Sequence, residues 1–291
     1  MRADAGYLDR LAARTAAVGT VLCLGIDPDV ESLPPGFTRD LAGLEQFSRV
    51  LIEVAGPFAA AIKPNLAFFE AYGSAGIAAL ERLLGAVPSD LPVILDVKRG
   101  DIGSTAARQA IALFDGLGAD AITVNPYLGS DAIQPLIERL DRFAYVLCRT
   151  SNPGAGELQG LLVAAGGDAP EEPLFARVAR RVATWGPGGT VGLVVGATAP
   201  DEMVRIRQIA PDLPFLVPGV GAQGGAVQPV LRSGPTAAGQ AARQPGGGLL
   251  VNVSRGIARA AADTRGSADS SVEDVLGAAA RGWAGRLPVL P

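Results

Sequence analysis

Residues 92–105 read Pro-Val-Ile-Leu-Asp-Val-Lys-Arg-Gly-Asp-Ile-Gly-Ser-Thr, an apolar run that passes directly into a cluster of charge. The run over 93–96 predicts a buried β-strand, and the residues after the cluster predict the start of a helix. Alternate side chains of an extended strand share a face, so Asp96 and Lys98 are expected to point the same way, and Asp101 can return toward them from the turn. A buried strand joined by a short turn to a helix is typical of a parallel α/β fold.

Asp96, Lys98 and Asp101 form an Asp-x-Lys-x-x-Asp motif in an apolar setting. Two carboxylates crowded around one ammonium are costly to bury, because like charges repel and desolvation penalises every ion. A short Asp-x-Lys alone would be consistent with an ordinary ion pair in a solvated turn. The complete motif after a buried strand favours a functional site, since charge clusters with perturbed pKa values gather at such sites.

The rest of the chain repeats the alternation of short apolar runs and longer amphipathic ones, which indicates βαβ units and a parallel sheet. Strands are predicted at residues 21–26, 59–63, 93–97, 121–124, 145–149, 191–196, 215–217 and 249–253. Helices are predicted at residues 41–54, 68–84, 104–117, 131–140, 174–185, 201–209, 227–231 and 272–283. Because α/β barrels of eight strands commonly reach this length as one domain, the predicted fold class is α/β, a single-domain (β/α)8 TIM barrel over residues 1–291.

Three segments fall outside this alternation. Residues of about 5–18 predict an amphipathic helix and not a signal peptide, because Arg10 and Arg14 interrupt the apolar residues. Segment 154–173, rich in Gly, Ala and acidic residues, predicts a long loop after the fifth strand, and segment 233–248 predicts a Gly-rich connector. Loops of this length are often lids or disordered, so the sequence alone does not place them.

The composition argues against several classes of protein. A net charge of −4 disfavours a nucleic-acid partner, so any anionic ligand must be held by local donors. The apolar runs are too short and too interrupted by charge to cross a bilayer, which predicts a cytoplasmic protein with no membrane partner. The chain has no histidine, so it lacks the usual base of a catalytic triad and the commonest metal ligand.

Proton chemistry must therefore fall to Lys, Asp or Glu, and we predict neither a metal nor a cofactor. The two cysteines do not change this expectation. Cys23 and Cys148 both lie in apolar strand-like runs, where a small buried thiol is the norm.

Polar residues follow seven of the predicted strands, at the end of a barrel where active sites form. Asp27 follows the first strand, Lys63 ends the second, and the charge motif ends the third. Ser151 lies in Arg-Thr-Ser-Asn-Pro-Gly after the fifth strand. We therefore expect these side chains to meet at one mouth of the barrel.

The loops after the last two strands predict a phosphate site, because this fold commonly binds phosphate there. The Gly-rich turn 219–225 follows Pro218 and includes Gln223, and Ser254 and Arg255 open the next helix. A Gly-rich turn alone is consistent with simple turn geometry. An arginine at the neighbouring strand end supplies the planar fork that suits phosphate oxygens, and the two features together favour substrate phosphate binding by these residues.

Three of the candidate residues keep alternative interpretations. Lys63 could extend its ammonium to solvent, or it could join an alternating row with Asp96, Lys98 and Asp101 in which each ion is held by its neighbour. The residue pair Asp-Pro at Asp27 is also a common turn. The hydroxyl of Ser151 could reach the amide edge of a ligand or only cap its own turn.

The motif Leu-Asp-Val-Lys-Arg-Gly-Asp-Ile-Gly-Ser-Thr over 95–105 resembles the signature of the orotidine 5'-phosphate decarboxylase family. Three further blocks resemble its long bacterial branch, often described as mycobacterial-like or type 2. They are Asn-Pro-Tyr-Leu-Gly at 125–129, Arg-Thr-Ser-Asn-Pro-Gly-Ala at 149–155 and Pro-Gly-Val-Gly-Ala-Gln-Gly-Gly at 218–225. The resemblance spans about 25–256, and only the first motif is diagnostic by itself.

The resemblance implies an enzyme that converts orotidine 5'-monophosphate to UMP and CO2 in pyrimidine biosynthesis without a cofactor. It implies that Asp27 and Lys63 contact the ribose and that Asp96 and Asp101 flank the substrate carboxylate. It also implies that Lys98 protonates C6 after CO2 leaves.

The resemblance further implies a homodimer with shared active sites, in which Asp101 and Thr105 come from the partner subunit. Within one subunit it implies that Ser151 reads the pyrimidine and that Gln223 and Arg255 hold the phosphate.

Three rival functions remain open on the sequence. A related magnesium-dependent decarboxylase or aldolase acting on a sugar phosphate would use a similar motif. A Schiff-base aldolase on the same barrel would use Lys63 or Lys98 as nucleophile. A noncatalytic protein that binds a phosphorylated metabolite is disfavoured, because a pure anion binder gains nothing from two aspartates.

Overall fold

The structure is a computed structural model that describes residues 5–167, 169–221, 223–262 and 270–290. Its strands are β1 Leu22–Ile26, β2 Ala61–Pro64, β3 Ile94–Arg99, β4 Ala121–Val124, β5 Phe143–Arg149, β6 Leu162–Val163, β7 Glu172–Pro173, β8 Val191–Val195, β9 Phe215–Val217 and β10 Leu250–Val253. Its α-helices are α1 Tyr7–Val18, α2 Leu41–Ala55, α3 Ala67–Glu70, α4 Gly73–Gly85, α5 Gly103–Ala110, α6 Gln134–Ile137, α7 Gly156–Gln159, α8 Leu174–Val182, α9 Pro200–Ile209, α10 Val227–Ser233, α11 Arg255–Ala258 and α12 Val272–Arg286.

Eight strands form one parallel sheet in the order β2-β1-β10-β9-β8-β5-β4-β3. Single bridges from Ile62 to Val93 and from Asn65 to Asp96 join the two edge strands, so the sheet curls into a nearly closed barrel. Helices between the strands cover its outside. The prediction of a single-domain TIM barrel is confirmed, and each of the eight predicted strands overlaps a barrel strand.

Helix boundaries differ from the prediction where glycine or proline intervenes. The predicted helix 68–84 is two helices, because the chain turns at Gly73 with a left-handed φ of 59°. The prediction of a helix over 131–140 was wrong in extent, since only the short α6 forms there. Proline is tolerated only in the first turn of a helix, so Pro135 prevents a helix that starts at residue 131.

The barrel interior is a cluster of buried side chains that α1 closes at one end. Tyr7 of α1 stacks on Phe143 with ring centroids 4.9 Å apart, and its hydroxyl lies 3.1 Å from the Tyr145 hydroxyl. Arg10 of α1 donates to Asp120 at 2.8 Å. Because Phe143 begins β5 and Asp120 directly precedes β4, this plug lies at the amino ends of the strands. The opposite end of the barrel, at the carboxyl ends of the strands, is not covered by α1 and is where we expect a functional site.

Segment 154–173 leaves the barrel after β5 and forms α7 and the antiparallel ribbon of β6 with β7. Glu172 of the ribbon is buried and accepts hydrogen bonds from Arg177 and Arg180 of α8, at 2.9 Å and 3.0 Å. These ion pairs hold the segment against the outside of the barrel.

Segment 233–248 runs along the amino end of the barrel and contains two short 3-10 turns. The buried guanidinium of Arg207 donates to the Gly234 carbonyl at 2.6 Å and to the Leu213 carbonyl at 2.8 Å, and it stacks over the Phe215 ring. One arginine therefore ties this connector to the end of α9 and the start of β9. Within the ranges that the structure describes, every helix is too short or too polar to cross a lipid bilayer.

Candidate active site

A cavity of about 300 Å³ opens at the carboxyl ends of the barrel strands. Seven of the residues predicted from the sequence line it: Asp27, Lys63, Asp96, Lys98, Ser151, Pro218 and Gln223. They come from the ends of β1, β2, β3, β5 and β9, so the barrel brings together residues that lie nearly two hundred positions apart in the chain.

Asp96 is bonded to both lysines of the cavity. Lys63 Nζ donates to one carboxylate oxygen of Asp96 at 2.7 Å, and Lys98 Nζ donates to the other at 2.5 Å. The side chain of Lys63 is 5% exposed and that of Lys98 is 51% exposed. Lys63 therefore does not extend to solvent but is buried in an ion pair, whereas the ammonium of Lys98 faces the open cavity.

The alternation of β3 breaks at Lys98, which has a left-handed φ of 47°. The pairing of β3 with β4 shifts register between Leu95 and Arg99, so the strand carries a bulge at this point. A left-handed backbone is uncommon for a residue with a side chain, and strained residues of this kind persist only where their surroundings hold them. The bulge directs the ammonium of Lys98 back onto Asp96.

Thr123 of β4 holds this bulge in place. Its hydroxyl oxygen accepts hydrogen bonds from the backbone N–H groups of Val97 and Lys98 at 2.9 Å and 3.0 Å. The same hydroxyl donates to Asp96 at 3.0 Å. One side chain thus satisfies two backbone donors and orients the carboxylate.

Both members of the buried ion pair are held in their charged forms. Burial opposes ionisation of Asp96, but the charges and hydrogen bonds of Lys63 and Lys98 outweigh it, so the pKa of Asp96 lies well below its usual range. Burial likewise opposes the charge on Lys63, but Asp96 and Asp27 raise the pKa of its ammonium above the usual value. By contrast, burial raises the pKa of the Cys23 thiol to about 12, so this cysteine is neutral.

Two buried oxygen atoms at the cavity lack partners in the part of the chain that the structure describes. They are Oδ1 of Asp27 and Oδ1 of Asn252. Buried acceptors without donors are costly, and in a cavity they are free to accept hydrogen bonds from the hydroxyl groups of a ligand.

The turn after β9 lies directly on the turn after β5. Gly219 has a left-handed φ of 97°, and a Cβ atom there would lie 2.9 Å from Gln223 Oε1 and 2.9 Å from Ser151 Cβ. Only glycine fits this approach, so Gly219 brings Gln223 and Ser151 to one wall of the cavity. Among the described residues, the Ser151 hydroxyl caps no turn.

Arg255 and Ser254 line an adjoining cavity of about 310 Å³ instead. Asp27 and Asn65 belong to the walls of both cavities. The structure therefore places Gln223 and Arg255 on two sides of a shared wall and not in one cavity. Within the described ranges the Arg255 guanidinium has no ion pair, so it is free to bind an anion.

Asp101 and Thr105 do not reach this cavity within one chain. The Asp101 side chain accepts a hydrogen bond from the Ile102 N–H at 2.8 Å, and Thr105 is exposed on α5. Only three ions of the expected row of four therefore meet in a single subunit. Large apolar side chains are exposed beside them: Ile102 is 64% exposed, Tyr127 84% and Leu128 57%.

Sequence reasoning missed Thr123, Asn152, Asn252 and Arg259, which line the two cavities. Thr123 had a usable signal, because it is the one polar residue of the apolar strand Ala121–Val124. Asn252 had the same signal, because it is the one polar residue of the strand Leu250–Val253. Asn152 sits among polar turn residues and gave none. Among the described residues, no group of three or more His, Cys, Asp or Glu side chains could hold a metal ion.

Comparisons with known proteins point to one family. The family model described as "Orotidine 5'-phosphate decarboxylase / HUMPS family" matches residues 20–270. A protein of Herpetosiphon aurantiacus named orotidine 5'-phosphate decarboxylase is 47% identical over 86% of this chain and 88% of its own length. A protein of the same name from Thermomicrobium roseum is 47% identical over 89% of each chain. The solved structure of Leishmania donovani OMP decarboxylase is 40% identical, covers 97% of each chain and superposes with a TM-score of 0.78.

The hydrogen bonds of Thr123 predict a loss of stability for Thr123→Val. The change keeps the shape but leaves two backbone N–H groups without an acceptor, so we expect the free energy of unfolding to fall by about 2–4 kcal/mol. Thr190→Val is the matched control, because the Thr190 hydroxyl is buried without a partner among the described residues. Urea denaturation measures both, and equal losses would contradict the role given to Thr123.

The pKa directions of Asp96 and Lys63 predict where their ion pair stabilises the fold. The pKa of Asp96 lies below the unfolded value of about 3.9, so its contribution is complete above that value and is lost as the pH falls further. The pKa of Lys63 is raised above about 10.4, so its contribution is complete below that value and is lost as the pH rises through the folded-state pKa.

We therefore compare the wild type with the double variant Lys63→Met/Asp96→Asn. Their difference in free energy of unfolding should stay constant from about pH 5 to 9 and decrease below about pH 4. Chemical denaturation at each pH measures it. A drift of more than about 1 kcal/mol between pH 5 and 9 would show that one partner changes its charge in that range.

Proposed function

The chain belongs to the orotidine 5'-phosphate decarboxylase family, and from that membership we propose how its cavity performs the reaction. The protein decarboxylates orotidine 5'-monophosphate to UMP and CO2, a step of pyrimidine biosynthesis. The observation that carries the proposal is the row of Lys63, Asp96 and Lys98 at the mouth of the barrel. Asp96 and Lys98 belong to the motif over 95–105 that resembles the signature of the family.

The substrate carries its carboxylate on an sp2 carbon with no adjacent electron sink. Loss of CO2 leaves an electron pair on C6, close to a vinyl carbanion. Lys98 stabilises this developing charge and then transfers a proton from Nζ to C6, so the ammonium becomes an amine and the product is UMP. The exposure of the Lys98 ammonium to the cavity and its bond to Asp96 support this role.

Asp96 and Asp101 flank the substrate carboxylate in this proposal. Their negative charges disfavour the bound carboxylate and thereby favour its departure as neutral CO2. Asp96 also orients Lys98, as the 2.5 Å hydrogen bond supports. Because Asp96 stays ionised, its charge is present at neutral pH.

Asp27 and Lys63 bind the ribose. The unpartnered Oδ1 atoms of Asp27 and Asn252 support this assignment, since ribose hydroxyl groups would donate to them. The raised pKa of Lys63 argues against a Schiff-base nucleophile at this position, because such a nucleophile must be neutral.

The phosphate binds where the two cavities adjoin, held by Gln223 and Arg255, with Pro218 and Ser254 at the ends of the same strands. Ser151 reads the pyrimidine from the wall formed by the turn after β5. Binding energy from the phosphate, which does not react, can be used to hold the reacting carbon against Lys98.

We propose that the active unit is a homodimer in which Asp101 and Thr105 complete the partner's site. The exposed apolar side chains of Ile102, Tyr127 and Leu128 beside these residues support an interface at this face. The loops that carry them are adjacent, because a Cβ atom on Gly100 would lie 2.7 Å from the Asn125 carbonyl. No nucleic-acid or membrane partner is part of the proposal.

We propose two finer assignments, the branch of the family and the cellular location. The blocks at 125–129, 149–155 and 218–225 support membership of the long bacterial, mycobacterial-like type 2 branch. The reaction belongs to nucleotide biosynthesis, and on that ground we propose a cytoplasmic location.

The proposed chemistry predicts that EDTA-treated protein consumes orotidine 5'-monophosphate, measured as a loss of ultraviolet absorbance. Lys98→Ala should lower kcat by at least about 100-fold, since general acid catalysis contributes about 10²–10⁴-fold. Lys98→Arg should also be inactive, because a guanidinium keeps the charge but does not release its proton. Activity of Lys98→Ala within about tenfold of the wild type would remove Lys98 from the chemistry. Separately, loss of wild-type activity on EDTA treatment, with recovery when magnesium is added, would favour the magnesium-dependent rival.

The shared site predicts complementation between two inactive variants. Asp96→Ala and Asp101→Ala homodimers should each have little activity. Mixed dimers should regain up to about half of the wild-type sites, because one of the two sites then has both carboxylates. Heterodimers verified by differential tags and native mass spectrometry measure this effect, and verified heterodimers without any rescue would contradict sharing.

A further inference from the structure

Gln159 lies in segment 154–173, outside the barrel, yet it bonds directly to the cavity wall. The Thr150 N–H donates to Gln159 Oε1 at 2.9 Å, and Gln159 Nε2 donates to Thr150 Oγ1 at 2.8 Å. Two hydrogen bonds to one residue fix the orientation of the Gln159 amide. Thr150 itself lines the catalytic cavity.

The donor and acceptor roles in these hydrogen bonds also determine how Thr150 bonds to Asn152. Because Thr150 Oγ1 accepts from Gln159, its own hydrogen is available for Asn152 Oδ1, which lies 2.6 Å away. The carbonyl side of the Asn152 amide is therefore engaged by Thr150. The Nδ2 group is left as the donor that Asn152, a residue of the cavity wall, can offer to a ligand.

The segment that carries Gln159 is held in place by hydrogen bonds and ion pairs with α8. The Leu174 N–H donates to the Leu161 carbonyl at 2.8 Å, which ties the end of α7 to the start of α8. Buried Glu172 is bonded to Arg177 and Arg180 of the same helix. At the strand end, Arg149 donates to the Thr150 carbonyl at 2.9 Å and forms an ion pair with Glu202.

We propose that Gln159 is a positioning residue for recognition of the pyrimidine base, and that it acts through Thr150 to aim the Asn152 amide. Asn152 Nδ2 donates to a carbonyl oxygen of the ring, next to the contact of Ser151. A pyrimidinedione presents two carbonyl acceptors, so a wall with an amide donor and a hydroxyl matches its edge. This inference rests on the proposed function, because it assumes that the base binds on the Ser151 side.

The test separates binding of the base from binding of the sugar phosphate. Titration calorimetry measures the dissociation constants of UMP and of ribose 5-phosphate, which lacks the base. Gln159→Ala should weaken UMP binding about 5- to 10-fold and change ribose 5-phosphate binding less than about twofold, as expected for one lost hydrogen bond to the base. With orotidine 5'-monophosphate, KM should rise by a similar factor while kcat stays within about threefold.

Gln159→Glu tests the direction of the bonds without changing the shape. Its carboxylate accepts the Thr150 hydrogen and so withdraws it from Asn152, and we expect the same selective loss of UMP affinity as for Gln159→Ala. Gln134→Ala is the matched control, because the exposed side chain of Gln134 bonds only to Glu138 among the described residues.

The outcomes are distinguishable. If the wild type decarboxylates its substrate but Gln159→Ala and Gln159→Glu leave the ratio of UMP to ribose 5-phosphate affinity unchanged, the inference is overturned and the proposed function stands. Equal weakening of both ligands also overturns it, because it indicates a merely structural role. If the wild type does not decarboxylate orotidine 5'-monophosphate, the proposed function fails and the inference falls with it.

Discussion

Asp96 is the acceptor on which the catalytic end of the barrel depends. Its carboxylate receives hydrogen bonds from Lys63, Lys98 and the Thr123 hydroxyl. A buried carboxylate without such partners would be driven toward its neutral form, and a buried lysine without the carboxylate would lose its proton. Because the four residues come from three neighbouring strands, the same interactions that keep the ions charged also fix how those strands end.

The choice of lysine at these two places follows from the chemistry of the cations. Arginine supplies every other basic residue of the chain, and the only two lysines are the pair that bonds Asp96. A guanidinium stays protonated to about pH 12.5 and carries five donors to satisfy, whereas an ammonium is compact and can release its proton. A compact cation fits the buried position of Lys63. A cation that can give up a proton is what the proposed role of Lys98 requires.

The sequence was sufficient for the fold and for most of the cavity, because both depend on patterns of short range. Apolar runs with polar residues at their ends predicted eight strands and the mouth where Asp27, Asp96 and Ser151 meet. What it did not reveal depends on distant contacts. The bulge at Lys98 exists because Thr123 of another strand accepts its backbone N–H, and no alternation within β3 indicates it. Gln159 escaped notice because its hydrogen bonds to Thr150, nine positions earlier in the chain, depend on how the chain folds back after β5.

The uneven burial of the two lysines indicates what a single subunit lacks. Lys63 is enclosed, but half of the Lys98 side chain is open to solvent, where water would screen the charges on which the proposed mechanism depends. Substrate binding and a partner subunit would both remove that water. The exposed apolar residues around Asp101 lie beside the Lys98 strand end, so an interface formed there would cover the cavity and deliver a second carboxylate at once. In the proposed dimer, one interface would therefore both exclude water from the cavity and supply the Asp101 carboxylate.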